Sequence, residues 1–141
     1  MEKTLHFLSE SAIWETTSEF VTPTGEVSKG TGESIIKIDG DLIINESWAI
    51  LQGRKIENNY KIERLSVNHY QYTSLNPTLG IQKGFFDISG SNVYSRFQIE
   101  GTELNGYEII RRVNHTCFAD GILYNGSEVI NSWNALLNKR I

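Results

Sequence analysis

Alternation of side chains with a period of two residues recurs along this chain and constrains its fold more than any other feature. The cleanest example, in residues 92–100, has one face formed by Val93, Ser95, Phe97 and Ile99 and the other by Tyr94, Arg96, Gln98 and Glu100. Such alternation predicts a strand with one covered face and one face in water. Similar runs occur from residue 12 to residue 138. The chain is therefore predicted to be all-β.

Short turn signals separate these runs. Asp39-Gly40 and Asn125-Gly126 are dipeptides that favour tight hairpins, and no segment between runs is long or periodic enough for a crossover helix. Gly30 and Gly32 suit a bend where a sheet curls. A long meander must deal with its exposed edges, and closure into a barrel removes them. We predict an antiparallel up-and-down barrel of about eight to ten strands, in preference to a Greek-key sandwich.

The length of 141 residues predicts a single domain, which buries about two-thirds of its unfolded surface. Residues 12–141 are predicted to form the barrel. Residues 1–11 precede the first alternating run and place Leu5, Phe7 and Leu8 among polar residues. They are predicted to form a short helix or an arm that caps the domain.

Composition and charge disfavour several classes of protein. A net charge of −4 and a pI near 5.4 disfavour a nucleic-acid surface, which needs clustered Lys and Arg. There is no apolar run of about 18 residues for a membrane span, and the N-terminus does not resemble a signal peptide. A single cysteine, Cys117, rules out an internal disulfide and fits a reducing compartment. A cytoplasmic protein is predicted, with its oligomeric state left open and a homodimer as one option.

The two ends of the alternating region carry a known pattern. Ala12-Ile13-Trp14 opens the first run, and Lys139-Arg140 follows the last one. This arrangement resembles the calycin superfamily, in which Gly-x-Trp opens the first strand and an Arg or Lys after the last strand lies across the Trp; here Ala12 stands at the glycine position. The resemblance is to small bacterial lipocalin-like proteins, and more distantly to chromophore lyases. It implies that Trp14 and Arg140 close the barrel, and that the interior holds a small molecule.

Motifs for catalysis or metal binding are not found in the sequence. The three histidines have no ligand spacing, so haem ligation by a single histidine is the weaker interpretation of them, and no cofactor is predicted. Cys117 is interpreted as a small core residue. Glu46 lies on one face of the most apolar run, and the sequence leaves open whether that face is covered or in water.

Arginine on a covered face is the most informative chemical signal. Arg64 shares its phase with Tyr60, and Arg111 shares its phase with Tyr107. A guanidinium stays charged, so inside a barrel it needs an anion, hydrogen-bond acceptors or water. An internal salt bridge or a position at the barrel mouth would also satisfy it. The predicted ligand-binding residues are Trp48, Tyr60, Arg64, Phe97, Tyr107, Arg111 and Trp133.

Three functions remain open at this point. The first is a small-molecule binding protein that holds an amphipathic, largely apolar and anionic ligand inside the barrel. The second is an enzyme, similar to a chromophore lyase, built on the same barrel. The third is an interaction module whose core is filled. A cavity separates the first two from the third, and a tight group of titratable residues within that cavity would favour the enzyme.

Overall fold

The computed structural model describes residues 4–141. Each alternating run of the sequence forms a strand, because one face of the run packs inside while the other meets water. The strands are β1 (Ala12–Val21), β2 (Val27–Asp39), β3 (Leu42–Leu51), β4 (Arg54–Arg64), β5 (His69–Asn76), β6 (Gly80–Ser89), β7 (Asn92–Ile99), β8 (Leu104–Val113), β9 (Thr116–Asn125) and β10 (Glu128–Lys139).

The ten strands form one closed barrel in which each strand pairs antiparallel with its neighbours along the chain, and β1 pairs with β10. The predicted closed antiparallel barrel is therefore confirmed. Residues 4–141 contain no helix, and so none that could cross a membrane in that part of the chain.

Closure joins the last strand to the first over eight residue pairs, from Trp14 with Lys139 to Val21 with Ser132. The backbone N–H of Arg140 adds a bond of 2.8 Å to the carbonyl of Ile13. Because every strand has two partners, no strand edge is left for another chain to extend.

Tight turns make this sequential pairing possible. Gly40, between β2 and β3, has φ 60°, and Gly126, between β9 and β10, has φ 61°. Glycine adopts such values without a steric penalty. These are the two hairpin dipeptides predicted from the sequence.

The barrel has two different ends. We call the end that carries residues 4–11 and the loop at residues 65–68 the arm end, and the opposite one the far end. Inward-facing side chains in the arm half are almost fully buried: Trp14, Ile36, Ile43, Ile62, Tyr70, Ile88, Val93, Ile110, Cys117 and Leu137. Phe7 and Leu8 join this core from the segment before β1, which is made of turns and bends. The arm half is therefore filled.

The cation that lies over Trp14 is Arg112 of β8, not Arg140. The Arg112 guanidinium carbon is 5.1 Å from the ring centroid. Lys139 is the cross-strand partner of Trp14, but its Nζ donates to Glu10 at 2.8 Å. The prediction that Lys139 or Arg140 covers the indole is therefore wrong.

Arg140 points to the outer surface because it follows the inward-facing Lys139 by one residue, and successive strand residues alternate in direction. Its guanidinium bonds to Glu15 of β1 and Glu33 of β2. Arg140 still joins the last strand to the first, through these ion pairs and through its backbone.

Candidate functional site

The inward-facing side chains in the far half of the barrel are less completely buried than those in the arm half. Six inward-facing side chains there are half-buried, although they share phase with core residues on the same strands; they are Phe20, Ser47, Tyr60, Phe97, Glu108 and Trp133. Part of the surface of these six side chains is therefore accessible to water. Other inward-facing residues of this half, such as Ser74, Gln82 and Ile99, are buried. We call the region between the six half-buried side chains the far chamber.

Three glycines of the barrel wall allow aromatic side chains to approach the backbone closely. A methyl group at Gly121 would meet the ring of Trp133 at 2.2 Å, and one at Gly106 would meet the ring of Phe97 at 2.6 Å. At Gly84 it would meet the hydroxyl of Tyr72 at 2.7 Å. These separations are too short for any side chain, so the glycines set the positions of the rings.

An aromatic layer forms the floor of the chamber, between the two halves of the barrel. The ring centroids of Tyr60 and Tyr72 are 5.4 Å apart, and those of Tyr72 and Phe86 are 4.3 Å apart. The hydroxyl of Tyr72 lies 3.0 Å from the hydroxyl of Ser95 and accepts a bond of 3.3 Å from Gln82. Burial raises the pKa of Tyr72 to about 12, so its hydroxyl stays protonated.

Glu108 is the acidic group of this interior. Its carboxylate accepts a hydrogen bond of 2.6 Å from the indole nitrogen of Trp133. Desolvation by the surrounding wall is the main reason that the Glu108 pKa rises to about 7, against the lowering effect of Trp133. Glu108 therefore changes its charge near neutral pH.

No cation in the described part of the chain pairs with the Glu108 carboxylate. Among residues 4–141, no Lys, Arg or His nitrogen lies within 4.0 Å of the Glu108 carboxylate. Trp133 bonds to one carboxylate oxygen, Oε2, which leaves Oε1 as an acceptor. Strongly perturbed acids of this kind in a partly open interior are typical of functional sites.

The remaining interior is more polar than a core built for stability alone. Ser34 donates to Asn45 at 2.9 Å and lies 2.8 Å from Ser47, and Asn76 donates to Asn58 at 2.8 Å. The hydroxyl of Ser74 is buried without a partner in the part of the chain that the structure describes. Such groups need a bonding partner when water is excluded.

Of the predicted ligand-binding residues, Tyr60, Phe97 and Trp133 face the far chamber. Among them, Trp133 contacts the acidic group directly, because its indole nitrogen donates to Glu108. Phe97 packs on Gly106, and Tyr60 lies on the floor.

The interior position predicted for Trp48, Tyr107 and Arg111 is wrong, because each lies on the outer face. Trp48 donates to Glu33 at 3.2 Å. Tyr107 is 54% exposed. The Arg111 guanidinium sits 5.7 Å from the ring of Phe118 on the surface.

Arg64 faces inward but lies at the arm end, away from the far chamber. Its Nη1 donates to the carbonyl of Gly40 at 3.2 Å, and its guanidinium carbon is 5.6 Å from the ring of Tyr70. The three predicted residues that face the far chamber, Tyr60, Phe97 and Trp133, therefore do not form one site with Arg64.

The other candidates have plain structural roles. Glu46 lies on the outer face, 3.6 Å from Lys37. Cys117 is buried, and that burial raises its pKa to about 12, so it stays a thiol in the core. His69 pairs with Asp87 at 2.6 Å on the outer side. No metal-binding cluster occurs within residues 4–141.

Solved structures with the same fold support this architecture. Rv2717c from M. tuberculosis matches with a TM-score of 0.72 and 10% identity, over 93% of this chain and 92% of that one. The S-type phycobiliprotein lyase CPES from Guillardia theta matches with a TM-score of 0.67 and 6% identity, over 94% of this chain and 89% of that one. Comparison of the sequence with family models and with curated proteins finds no match. These matches show that the chain shares the overall fold of the two structures, and a closed antiparallel barrel is the fold that the calycin resemblance implied.

Proposed function

We propose that this barrel binds a small amphipathic molecule in the far chamber, with Glu108 as its polar anchor. The observation that carries the proposal is a carboxyl group inside the barrel that accepts from one indole nitrogen and has no cation of residues 4–141 within 4.0 Å. Burying such a group costs stability, and a ligand that donates a hydrogen bond to Oε1 offsets that cost.

The charge of the interior argues for a ligand different from the anionic one expected from the sequence. Arg111 lies on the outer surface and Arg64 at the arm end, whereas Glu108 is the ionisable group beside Trp133. An anion would be repelled by ionised Glu108. The favoured ligand class therefore carries an N–H or O–H donor, or a positive charge, on an apolar body that fits against Phe97 and Trp133.

An enzyme is the second candidate, supported by the same carboxyl. Glu108 can give or take a proton near pH 7, as a general acid or base must, and two tyrosines lie on the chamber floor. One of the structural neighbours is named a phycobiliprotein lyase. An enzyme would change the covalent structure of its ligand, whereas a binding protein releases it intact.

Native mass spectrometry of freshly purified protein tests the proposal. The expected result is an added mass that disappears on denaturation. Ser18→Phe adds a ring on the inner face of β1 and should abolish the added mass. Thr17→Phe is the matched control, because it adds the same ring to the outer face of the same strand. Equal loss or equal retention in both variants would place the ligand outside the barrel and contradict the proposal.

A further inference from the structure

A cleft at the arm end is separate from the far chamber. It has a volume of about 580 Å³ and is lined by Arg64, the loop at residues 65–68 and Thr4 of the N-terminal segment, among others. This volume lies in the range of small-molecule sites. The cleft is reached from the surface, on the opposite side of the filled core from Glu108.

Arg64 is chemically unsatisfied in this cleft. Its Nε is buried and has no acceptor within residues 4–141, and Nη1 donates to the carbonyl of Gly40. No carboxylate of the described residues lies within 4.0 Å of its guanidinium, although the cleft includes Asp41. A guanidinium stays protonated and charged, so the N–H groups of Arg64 that have no protein acceptor must bond to water or to a ligand.

Arg112, a buried arginine at the same end, is an example of a guanidinium whose nitrogens are all satisfied. Arg112 donates from Nε to the carbonyl of Asn114, from Nη1 to the carbonyl of His6 and from Nη2 to Glu10. Its three nitrogens all have acceptors. Arg64 has a protein acceptor for only one of its three nitrogens, and its side chain lines the cleft instead of pairing with a carboxylate of residues 4–141.

The surroundings of Arg64 favour an organic monoanion. Leu65 and Val67 stand beside it and are 51% and 85% exposed, which provides an apolar wall at the mouth of the cleft. A single guanidinium matches a single negative charge, and the nearby Asp41 disfavours a doubly charged group such as phosphate. A carboxylate can also accept two parallel bonds from one guanidinium.

We propose that the arm-end cleft is a second ligand site that binds a small organic carboxylate through Arg64. A modest turn of the guanidinium brings Nε and Nη2 to the two carboxylate oxygens, and the apolar body of the ligand lies against Leu65 and Val67. The proposal does not depend on the far chamber or on Glu108.

Hexanoate and hexanamide are suitable probes because they differ only in charge and in the headgroup. Binding is followed by isothermal titration and by the arginine Nε–H signals of ¹⁵N-labelled protein. Hexanoate should bind at least about tenfold more tightly than hexanamide, as expected for a charge-assisted hydrogen bond. It should also shift the Arg64 signal.

Variants assign the binding to one arginine. Arg64→Gln should remove the preference for hexanoate, and Arg111→Gln, which changes an arginine on the outer face, should keep it. Val67→Glu adds a repelling charge at an exposed position and should weaken hexanoate binding, so the proposal stays testable if Arg64→Gln does not fold. Equal affinity for the two probes, or unchanged binding in Arg64→Gln and Val67→Glu, would overturn it. Binding that is lost in Glu108→Gln would place hexanoate in the far chamber and also overturn it.

Discussion

The guanidinium carbon of Arg112 lies 5.1 Å from the centroid of the Trp14 ring, and both side chains are buried. Phe7 packs on the same indole, with ring centroids 5.8 Å apart. Arg112 also bonds to the carbonyl of His6 and to Glu10. Arg112 of β8 therefore links the segment before β1 to the first strand and to β8.

Replacement of Arg112 by Ala should destabilise the protein by about 3 to 5 kcal/mol, because it leaves buried acceptors without their donor. Arg140→Ala is the control. Arg140 is exposed and its ion pairs lie on the surface, so its loss should cost far less than the loss of Arg112. Urea denaturation of both variants measures the difference. Equal costs would contradict the role assigned to Arg112.

Replacement of Trp14 by Ala should cost about 3 to 5 kcal/mol, because the ring is fully buried and its removal leaves a cavity. Trp48→Ala removes the same ring from the outer face, where Trp48 contacts Glu33 and Lys55, and should cost much less. Thermal unfolding of the two variants under the same conditions checks the prediction. A larger loss in Trp48→Ala would show that the burial pattern of β1 and β3 is wrong.

Gly121→Ala should displace Trp133, because the added methyl would lie 2.2 Å from the indole ring. The hydrogen bond to Glu108 would then lengthen or break, and the strain should cost about 1 to 3 kcal/mol. The measurement is the tryptophan emission spectrum together with the free energy of unfolding. An unchanged spectrum and unchanged stability would contradict the close packing of this pair.

The strands and their closure could be predicted from the sequence because alternation and turn dipeptides are local signals. Which face of β8 points into the barrel could not be predicted. Its outer face carries Tyr107, Ile109 and Arg111, whereas its inner face begins with Leu104, Gly106 and Glu108. Judged by apolar content alone, the outer face looks covered, and a shift of one residue exchanges the two faces.

The pairing of β7 with β8 indicates which face of β8 points into the barrel. The inner face of β7, which includes Val93 and Phe97, was predicted correctly, and Val93 pairs with Ile110 while Phe97 pairs with Gly106. Partners across a strand pair face the same way. A glycine opposite a large ring indicates space made for that ring, but the pairing register had to be known before this could be used.

The same limitation hid Glu108. A lone glutamate between Gly106 and Ile110 resembles a solvated residue, and its indole partner, Trp133, is 25 residues later in the chain. Likewise, Arg112 can reach Trp14 only because the face of β8 that carries it points into the barrel. Long-range contacts of this kind follow from the register of the closed barrel, which the sequence does not state.

Stability should depend on pH through Glu108. Its pKa is raised to about 7 in the folded protein, above the value of about 4.3 for an unperturbed glutamate. Both states are protonated well below pH 4, whereas above pH 7 the folded state must hold the buried charge. The contribution of this group to stability should therefore fall by about 1 to 3 kcal/mol as the pH rises from about 4 to 8.

Glu108→Gln should remove that fall, since glutamine keeps an oxygen for the Trp133 donor and has no charge. The free energies of unfolding of the two proteins, measured by urea denaturation at several pH values, should diverge as the pH rises, with the variant more stable above pH 7. Parallel curves would show that Glu108 titrates normally.

The affinity of the far chamber for an amphipathic donor tests the central claim most directly. Octylamine is titrated at pH 6 and pH 8, with tryptophan emission as the signal, and octanoate serves as the matched anion. We expect octylamine to bind more tightly than octanoate at pH 8. Its affinity should weaken about tenfold at pH 6, where about a tenth of Glu108 is ionised, and Glu108→Gln should abolish both the preference and the pH dependence. Tighter binding of octanoate than octylamine, or the same pH dependence in Glu108→Gln, would contradict the account.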